Sequence, residues 1–415
     1  MTPRSRRARG GTVVLGGGFA GASVARRLGR RGATIVNPTN FMLYTPLLPE
    51  AAAGSIEPRH VVVPLRTMCP HAELLMGSAT GLDLERRVVQ VDSEAGRFSL
   101  EYEELIVALG SVTRMPAVPG LREHALSLKD LSDAIRLRNH VLRQIELADA
   151  APETAARRLT FVFAGAGFAG VETLAELQEL ASGALRRHPR LKDVQPRWVL
   201  VDRAPRILGQ VPAGLAGSAA RTLGRRGVEI ATEAALASVD TTGAVLSDGR
   251  RIETATVVWT AGVAASPVTA RLGLPVDERG RLRVDETLRV AEVPGVWSLG
   301  DCAAVPNAAA DGALDPATCQ HALRQARRLA RNLRGASRPY RYRTRGQMAT
   351  LGRRHGIAVV AGLPVRGLPG WLIARGYHLA ALPFVSRRAR VMADWTAAAL
   401  FRRDVAVVAP PHPLP

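Results

Sequence analysis

The stretch FAGAGFAGVETLAEL, residues 163–177, carries Gly165, Gly167 and Gly170 in the pattern G-x-G-x-x-G. Residues 16–28, GGGFAGASVARRL, repeat it with Gly16, Gly18 and Gly21, enclosing Phe19 and Ala20. Each copy follows an apolar run of strand character, TVVL at 12–15 and LTFVFA at 159–164. Each also opens a segment with helical spacing. In such a strand–turn–helix the first glycine permits the tight turn, the second lets a pyrophosphate approach the backbone, and the third lets helix pack on strand. The helix start then offers free N–H groups and about half a positive charge to phosphates.

Working outward, each helix leads to a second strand, ATIV at 33–36 and RWVLVD at 197–202. An acid at the end of that strand bonds ribose hydroxyls. In the second copy this residue is Asp202, which favours NADH over NADPH by repelling a 2′-phosphate, with Arg203 beside it acting the other way. In the first copy it is Asn37, which can donate and accept but is not the usual carboxylate. Only the second loop has a glutamate, Glu172, two residues past its last glycine. There it can reach a nicotinamide ribose or carboxamide, or serve as a first-turn acid favouring the helix dipole. Each unit ends in an apolar strand closing on small residues, Ala108-Leu109-Gly110 and Thr260-Ala261-Gly262. A late strand ends at Gly300-Asp301. Two such loops imply two dinucleotides: FAD held by the first, with Gly300-Asp301 returning to its ribityl-phosphate end, and an exchangeable NADH at the second.

The expected fold class is therefore α/β, with two Rossmann-like dinucleotide domains, the second inserted in the first, and a C-terminal helical region that contacts a membrane. The expected boundaries are 1–122 and 285–340 for the FAD domain, 123–284 for the NADH domain and 341–415 for the C-terminal region.

At 415 residues with 47% apolar and 22% charged side chains, the chain reads as globular rather than disordered. Its formal charge of +20 is almost wholly arginine, since Lys129 and Lys192 are the only lysines. That balance favours anionic partners. The three cysteines, Cys69, Cys302 and Cys319, form no C-x-x-C pair, which argues against a disulfide framework and a dithiol centre. No metal site is expected, because the histidines do not group at ligand spacing. The basic start MTPRSRRARG is followed by too short an apolar run for a signal peptide and is expected to be a frayed tail. No run reaches the length of a spanning helix. Residues 387–403, RRARVMADWTAAALFRR, place Val391, Trp395 and Ala398 on one helical face between arginine pairs, as an interfacial helix would. Packing on the protein or on a second copy is the other reading of that face.

The same residues carry a resemblance. NFMLYTPLLPEAAAGSIEPRHVVVPLR (40–66), LIVALGS (105–111), GFAGVETLAEL (167–177), VVWTAGVAASP (257–267), VWSLGDCAAVPN (296–307), TCQHALRQARRLARNL (318–333) and GQMATLGRRHGIAVV (346–360) follow the order found in one group. The chain resembles the type II NADH dehydrogenases, non-pumping NADH:quinone oxidoreductases of the pyridine nucleotide-disulfide oxidoreductase superfamily, and their actinobacterial branch in particular. The resemblance implies a flavoenzyme, peripheral on the cytoplasmic face of a bacterial inner membrane, that uses a membrane quinone and rests on an anionic lipid surface. A homodimer is allowed and no nucleic-acid partner is implied. It implies that Pro46-Leu47-Leu48 lies by the flavin ring, that Asp301 binds the flavin with Ala303 near it, and that Glu172 lies beside the nicotinamide. Gln320 matches the first glutamine of the family's quinone-pocket stretch A-Q-x-x-x-Q-Q. Cys319 and Arg324 depart from that stretch, while Gln325 keeps its last glutamine. Two other functions remain open at this point: a soluble FAD-dependent NAD(P)H oxidoreductase with another acceptor, and a flavin-based redox sensor that binds nucleic acid.

Overall fold

A computed structural model describes residues 3–344 and 346–408. The chain divides into two units by packing: residues 1–43, 62–112 and 263–344 form one, and residues 44–61, 113–262 and 345–415 the other. Met1, Thr2 and residues 409–415, which belong to the expected N-terminal tail and C-terminal region, lie outside the described residues.

The first unit is built on a five-stranded sheet in the order Val296–Ser298, Glu104–Val107, Thr12–Leu15, Thr34–Asn37, Glu73–Met76. All four pairings are parallel. Parallel strands buried on both faces read as continuous apolar runs, and Val13, Val14, Leu15, Leu105, Ile106 and Val107 are all fully buried. The helices Phe19–Leu28 and Cys319–Asn332 pack on each other. A second sheet pairs Arg4–Arg7 with Gly96–Glu101, which continues to Val88–Ser93 and Ser78–Asp83.

That last sheet corrects the frayed-tail expectation. Residues 4–7 form a parallel edge strand on residues 98–101. Arg6 and Arg7 pair with Glu73 and Glu103, and the Ser5 hydroxyl donates to Glu101 at 3.4 Å. The basic tail is ordered because acids on neighbouring strands meet it.

The second unit repeats the parallel plan in the order Ala125–Ser127, Thr256–Trp259, Thr160–Ala164, Arg197–Val201, Val228–Ala231. The long helices Leu131–Ala150 and Phe168–Leu185 pack together, and the short helix Leu48–Ala52 packs on both. Asp130 caps the first of these, accepting from the Asp133 N–H. An antiparallel meander, Gly346–Thr350, Gly356–Val360 and Leu363–Arg366, joins the same core through Ala349, Leu351 and Ile357. Helices Gly367–Ala381 and Val385–Leu400 follow.

The interfacial reading of 387–403 needs revision. Val391 and Trp395, the centre of the expected lipid-facing stripe, are buried inside this unit. The apolar residues left exposed lie elsewhere on the two helices and their flanks: Leu368, Leu372, Val385, Met392, Leu400 and Phe401. Among the described residues no helix is long and apolar enough to cross a membrane, and no acid–His–Cys group could hold a metal.

Candidate functional site

The two glycine loops adopt the same backbone. Gly16 sits at φ +103° and Gly165 at φ +112°, the region only glycine enters freely. A Cβ on Gly16 would meet the Ala108 carbonyl oxygen at 2.3 Å, and one on Gly165 would meet the Ala261 nitrogen at 2.6 Å. The third glycines are closed as tightly: a Cβ on Gly21 would lie 1.9 Å from the Gly16 oxygen, and one on Gly170 would lie 1.8 Å from the Gly165 oxygen. The middle glycines differ in kind. Gly18 and Gly167 are the residues preceding their helices, both extended at φ −75°, and a Cβ on either would meet nothing within 4 Å. Two glycines of each loop are thus required by the protein, and the third leaves an open space at a helix N-terminus. That is the space a pyrophosphate fills.

The strand-end residues tie into the loops in parallel fashion. The Gly17 N–H donates to Asn37 Oδ1 at 2.7 Å, and the Ala166 N–H donates to Asp202 Oδ2 at 2.5 Å. Asn37 Nδ2 donates in turn to the Thr39 carbonyl at 2.8 Å, whereas Asp202 Oδ1 accepts from the Ala204 N–H at 2.8 Å. The small-residue turns lie beside the first glycines, with Gly110 at φ +65° and Gly262 at φ +82°.

In the first unit, Gly300 (φ +77°) comes back to the first loop, where a Cβ would stand 3.1 Å from that of Ala20. Asp301 accepts from the Ser111 hydroxyl at 2.7 Å, and Ala303 is buried in a short strand paired with Leu282–Arg283. Gly16, Gly18, Phe19, Ala20, Gly21, Asn37, Ala108, Gly110, Gly300, Asp301 and Ala303 therefore belong to one packed unit.

Gln320 and Gln325 behave differently from each other. Gln320 is half-buried in the first turn of Cys319–Asn332, and its side chain forms no hydrogen bond among the described residues. Gln325 is buried, accepts from the Gly300 N–H at 2.8 Å and donates to Asp315 at 2.9 Å. It holds the Gly300-Asp301 turn in place.

In the second unit, Glu172 sits on the first turn of its helix, and its Oε1 accepts from the Thr350 N–H at 2.9 Å and the Thr350 hydroxyl at 3.3 Å. Two further carboxylates lie near it. Glu50, from Leu48–Ala52, is 4% exposed and accepts from Arg375 at 3.3 Å and from the Trp395 indole N–H. The Arg375 guanidinium lies over two indoles, 4.1 Å from the Trp371 ring and 4.6 Å from that of Trp395. Glu176, one helical turn past Glu172, accepts from Arg403 at 3.0 Å and from the Ser55 hydroxyl at 3.1 Å. Three carboxylates thus share two guanidiniums, and Glu172 is the one without a cation. Desolvation, helped by the charges of Glu50 and Glu176, raises the Glu172 pKa to about 8 against the pull of the Thr350 donors. Desolvation likewise raises Glu50 to about 7, with Arg375 opposing it.

Sequence reasoning found Glu172 but not Glu50, Glu176, Arg375 or Arg403, which come from segments far apart in the chain, Glu50 and Arg375 being separated by 325 residues. Pro46 and Leu47 form a 3-10 turn leading directly into Leu48–Ala52, so the turn singled out in the sequence is the lead-in to Glu50.

A profile of the pyridine nucleotide-disulphide oxidoreductases matches residues 11–326. The type II NADH:quinone oxidoreductase Ndh of Mycobacterium tuberculosis is 31% identical over 94% of this chain and 88% of its own. The demethylphylloquinone reductase NdbB of Synechocystis is 28% identical over 92% of this chain and 94% of its own. Among solved structures, Plasmodium falciparum NDH2 in complex with NADH superimposes with a TM-score of 0.89 at 16% identity, covering 95% of this chain and 99% of that one. That superposition confirms the two Rossmann-like folds followed by C-terminal helices. On the profile match and the mycobacterial relative, this chain belongs to the pyridine nucleotide-disulphide oxidoreductases and, within them, to the type II NADH:quinone oxidoreductases.

Proposed function

We infer that this chain oxidises NADH through FAD and delivers the electrons to a membrane quinone, with the first loop serving FAD and the second NADH. The observation that supports the reading is the paired cradle: two parallel sheets carry the same glycine turn, and in both the space at the middle glycine, Gly18 or Gly167, is open. Bound FAD supplies the two-electron relay between the hydride donor and the quinone.

The chain's own residues bind, orient and hold protons. Gly16, Gly18 and Gly21 with the N–H groups of Phe19 and Ala20 take the FAD pyrophosphate, and Asn37 takes the adenosine end. Gly300-Asp301, with Ala303, Ala108 and Gly110, takes the flavin side of the same group. Gly165, Gly167, Gly170 and Gly262 receive NADH. Asp202 is fixed by two backbone donors and keeps lone pairs for the ribose hydroxyls. Glu172 accepts from Thr350 on Oε1, so Oε2 carries its proton at neutral pH and can donate to the nicotinamide carboxamide. Quinone reduction by NADH consumes one proton beyond the hydride. We assign Pro46 and Leu47 to the flavin ring and Gln320 to the quinone. Residues 1–122 with 285–340 serve FAD, residues 123–284 serve NADH, and residues 341–415 reach lipid or a second copy.

The family acts at a membrane, and the chain is peripheral, on the cytoplasmic face. Its lipid contact is the exposed set Leu368, Leu372, Val385, Met392, Leu400 and Phe401, flanked by arginines that favour an anionic surface. NADH oxidation by the purified protein, followed with a short-chain menaquinone and then with oxygen alone, tests the acceptor. Fast turnover with the quinone and slow turnover with oxygen supports the reading, and the reverse order replaces it with an oxidase. Sedimentation with anionic vesicles, lost on Leu372→Glu and Phe401→Glu, tests the lipid contact.

A further inference from the structure

In the first unit, Phe19–Leu28 and Cys319–Asn332 end side by side. Arg31 Nη1 donates to the Leu333 carbonyl at 3.0 Å, and Arg334 donates to the Arg27 carbonyl. These two segments carry ten arginines: Arg26, Arg27, Arg30 and Arg31 in one, and Arg324, Arg327, Arg328, Arg331, Arg334 and Arg338 in the other. Neither residues 20–37 nor residues 316–340 contain a single Asp or Glu.

Some of these cations have evident local roles. Arg31 and Arg334 cap the partner helix's free carbonyls, and the Arg324 guanidinium lies 5.4 Å from the Tyr342 ring. Arg27, Arg30, Arg327 and Arg331 are exposed and form no ion pair among the described residues. Arg327 and Arg331 repel Arg27. After burial, the largest influences lowering the Arg27 pKa are Arg327, Arg26, Arg331 and Arg324. Arg328 is lowered in the same way, by burial and then by Arg331 and Arg338. Like charges three and four residues apart destabilise a helix, so this face works against its own fold when nothing covers it.

The chemistry of the face limits its partner. None of the chain's exposed large apolar residues lies in residues 19–31 or 319–338, so nothing there would enter a bilayer. It exposes no aromatic ring on which a base could stack. Both helices present their C-terminal ends, which lack the free N–H groups that hold phosphate at a helix start. What remains is a set of guanidinium forks over about 15 Å of helix, suited to bidentate pairing with carboxylates. We propose that the arginine face formed by the ends of Phe19–Leu28 and Cys319–Asn332 docks an acidic segment of another protein, a run of Asp and Glu side chains that neutralises Arg27, Arg30, Arg327 and Arg331.

The test is fluorescence anisotropy of a labelled decaglutamate peptide against the full-length holoprotein at low and moderate salt. A duplex oligonucleotide and anionic phosphatidylglycerol vesicles serve as competitors. The variant Arg327→Glu/Arg331→Glu is compared with Arg221→Glu/Arg225→Glu, an equal charge change on exposed positions of the helix Ala213–Arg225 in the other unit. Arg327→Ala/Arg331→Ala replaces the first should it fail to retain flavin absorbance. The expected result is binding weakened about tenfold or more by the first pair and less than about twofold by the second, with NADH:quinone turnover unchanged in both. Equal weakening by the two pairs would reduce the effect to net charge and overturn the proposal. Preferential capture of the oligonucleotide or vesicles, lost in the first variant, would assign the face to phosphates and overturn it too.

Discussion

The two nucleotide loops share a backbone and differ in their charge. Each has a first glycine at φ above +100°, a third pressed against the first one's carbonyl, and a middle one open to solvent. The first loop continues to Ser23, buried, and takes its strand-end bond from neutral Asn37. The second continues to Glu172 and takes that bond from Asp202. On the proposed assignment, the shared backbone shape admits a dinucleotide at each loop, and the side chains beside it, Asn37 and Ser23 against Asp202 and Glu172, set the exchangeable site apart from the resident one.

The strongest way to break the comparison is at the middle glycines. A Cβ at Gly18 or Gly167 meets no protein atom within 4 Å, so Gly18→Val and Gly167→Val should both fold with unchanged circular dichroism. Gly18→Val should purify without flavin. Gly167→Val should purify yellow and lose NADH reactivity by about a hundredfold or more, as a blocked pyrophosphate site implies. Loss of flavin from both, or from Gly167→Val alone, would contradict the assignment of the loops.

Next in size is the carboxylate cluster that has no counterpart at the first loop. Glu50→Ala leaves Arg375 and the Trp395 N–H without their carboxylate, and should cost about 3–5 kcal/mol in urea unfolding. Glu172→Gln should act through pH. The folded pKa, about 8, lies above the ordinary 4.5, so the folded state holds this proton more firmly than the unfolded one. The resulting stabilisation is complete below about pH 4.5 and is lost as pH rises through about 8. The glutamine variant should lie within about 1 kcal/mol of the parent at pH 5 and exceed it by about 4–5 kcal/mol at pH 9. Its kcat/KM for NADH should no longer fall above pH 8. A wild-type pH profile retained in Glu172→Gln would remove Glu172 as the titrating group. The smallest effect is expected at Asp202→Asn, which makes the second loop's strand end like the first. The preference for NADH over NADPH should drop about tenfold, read from the ratio of kcat/KM values.

How much of this was legible in the sequence follows from how locally each feature is encoded. The strands TVVL, LTFVFA and RWVLVD and the glycines beside them specify their own geometry within a single strand–helix–strand unit. The structure finds strands at Thr12–Leu15, Thr160–Ala164 and Arg197–Val201. The stripe of Val391 and Trp395 was misread because an apolar helical face looks the same whether lipid or protein covers it. What decides is Glu50, 345 residues away, which takes the Trp395 N–H into the core. The Arg4–Arg7 strand is hidden for the same reason, since its acids come from later in the chain, Glu73 and Glu101 from strands and Glu103 from the bend that follows. The family's quinone-pocket stretch groups Gln325 with Gln320, yet its neighbours Gly300 and Asp315 give it a purely positioning bond pattern.

An anaerobic spectral titration of the purified wild-type protein decides whether NADH, flavin and quinone lie on one electron path. It should carry one flavin per chain, bleach with one equivalent of NADH, and recover its colour with one equivalent of a short-chain quinone. A protein that is colourless and stays so with added FAD, or whose flavin NADH leaves oxidised, would contradict the claim that the two cradles serve one electron path.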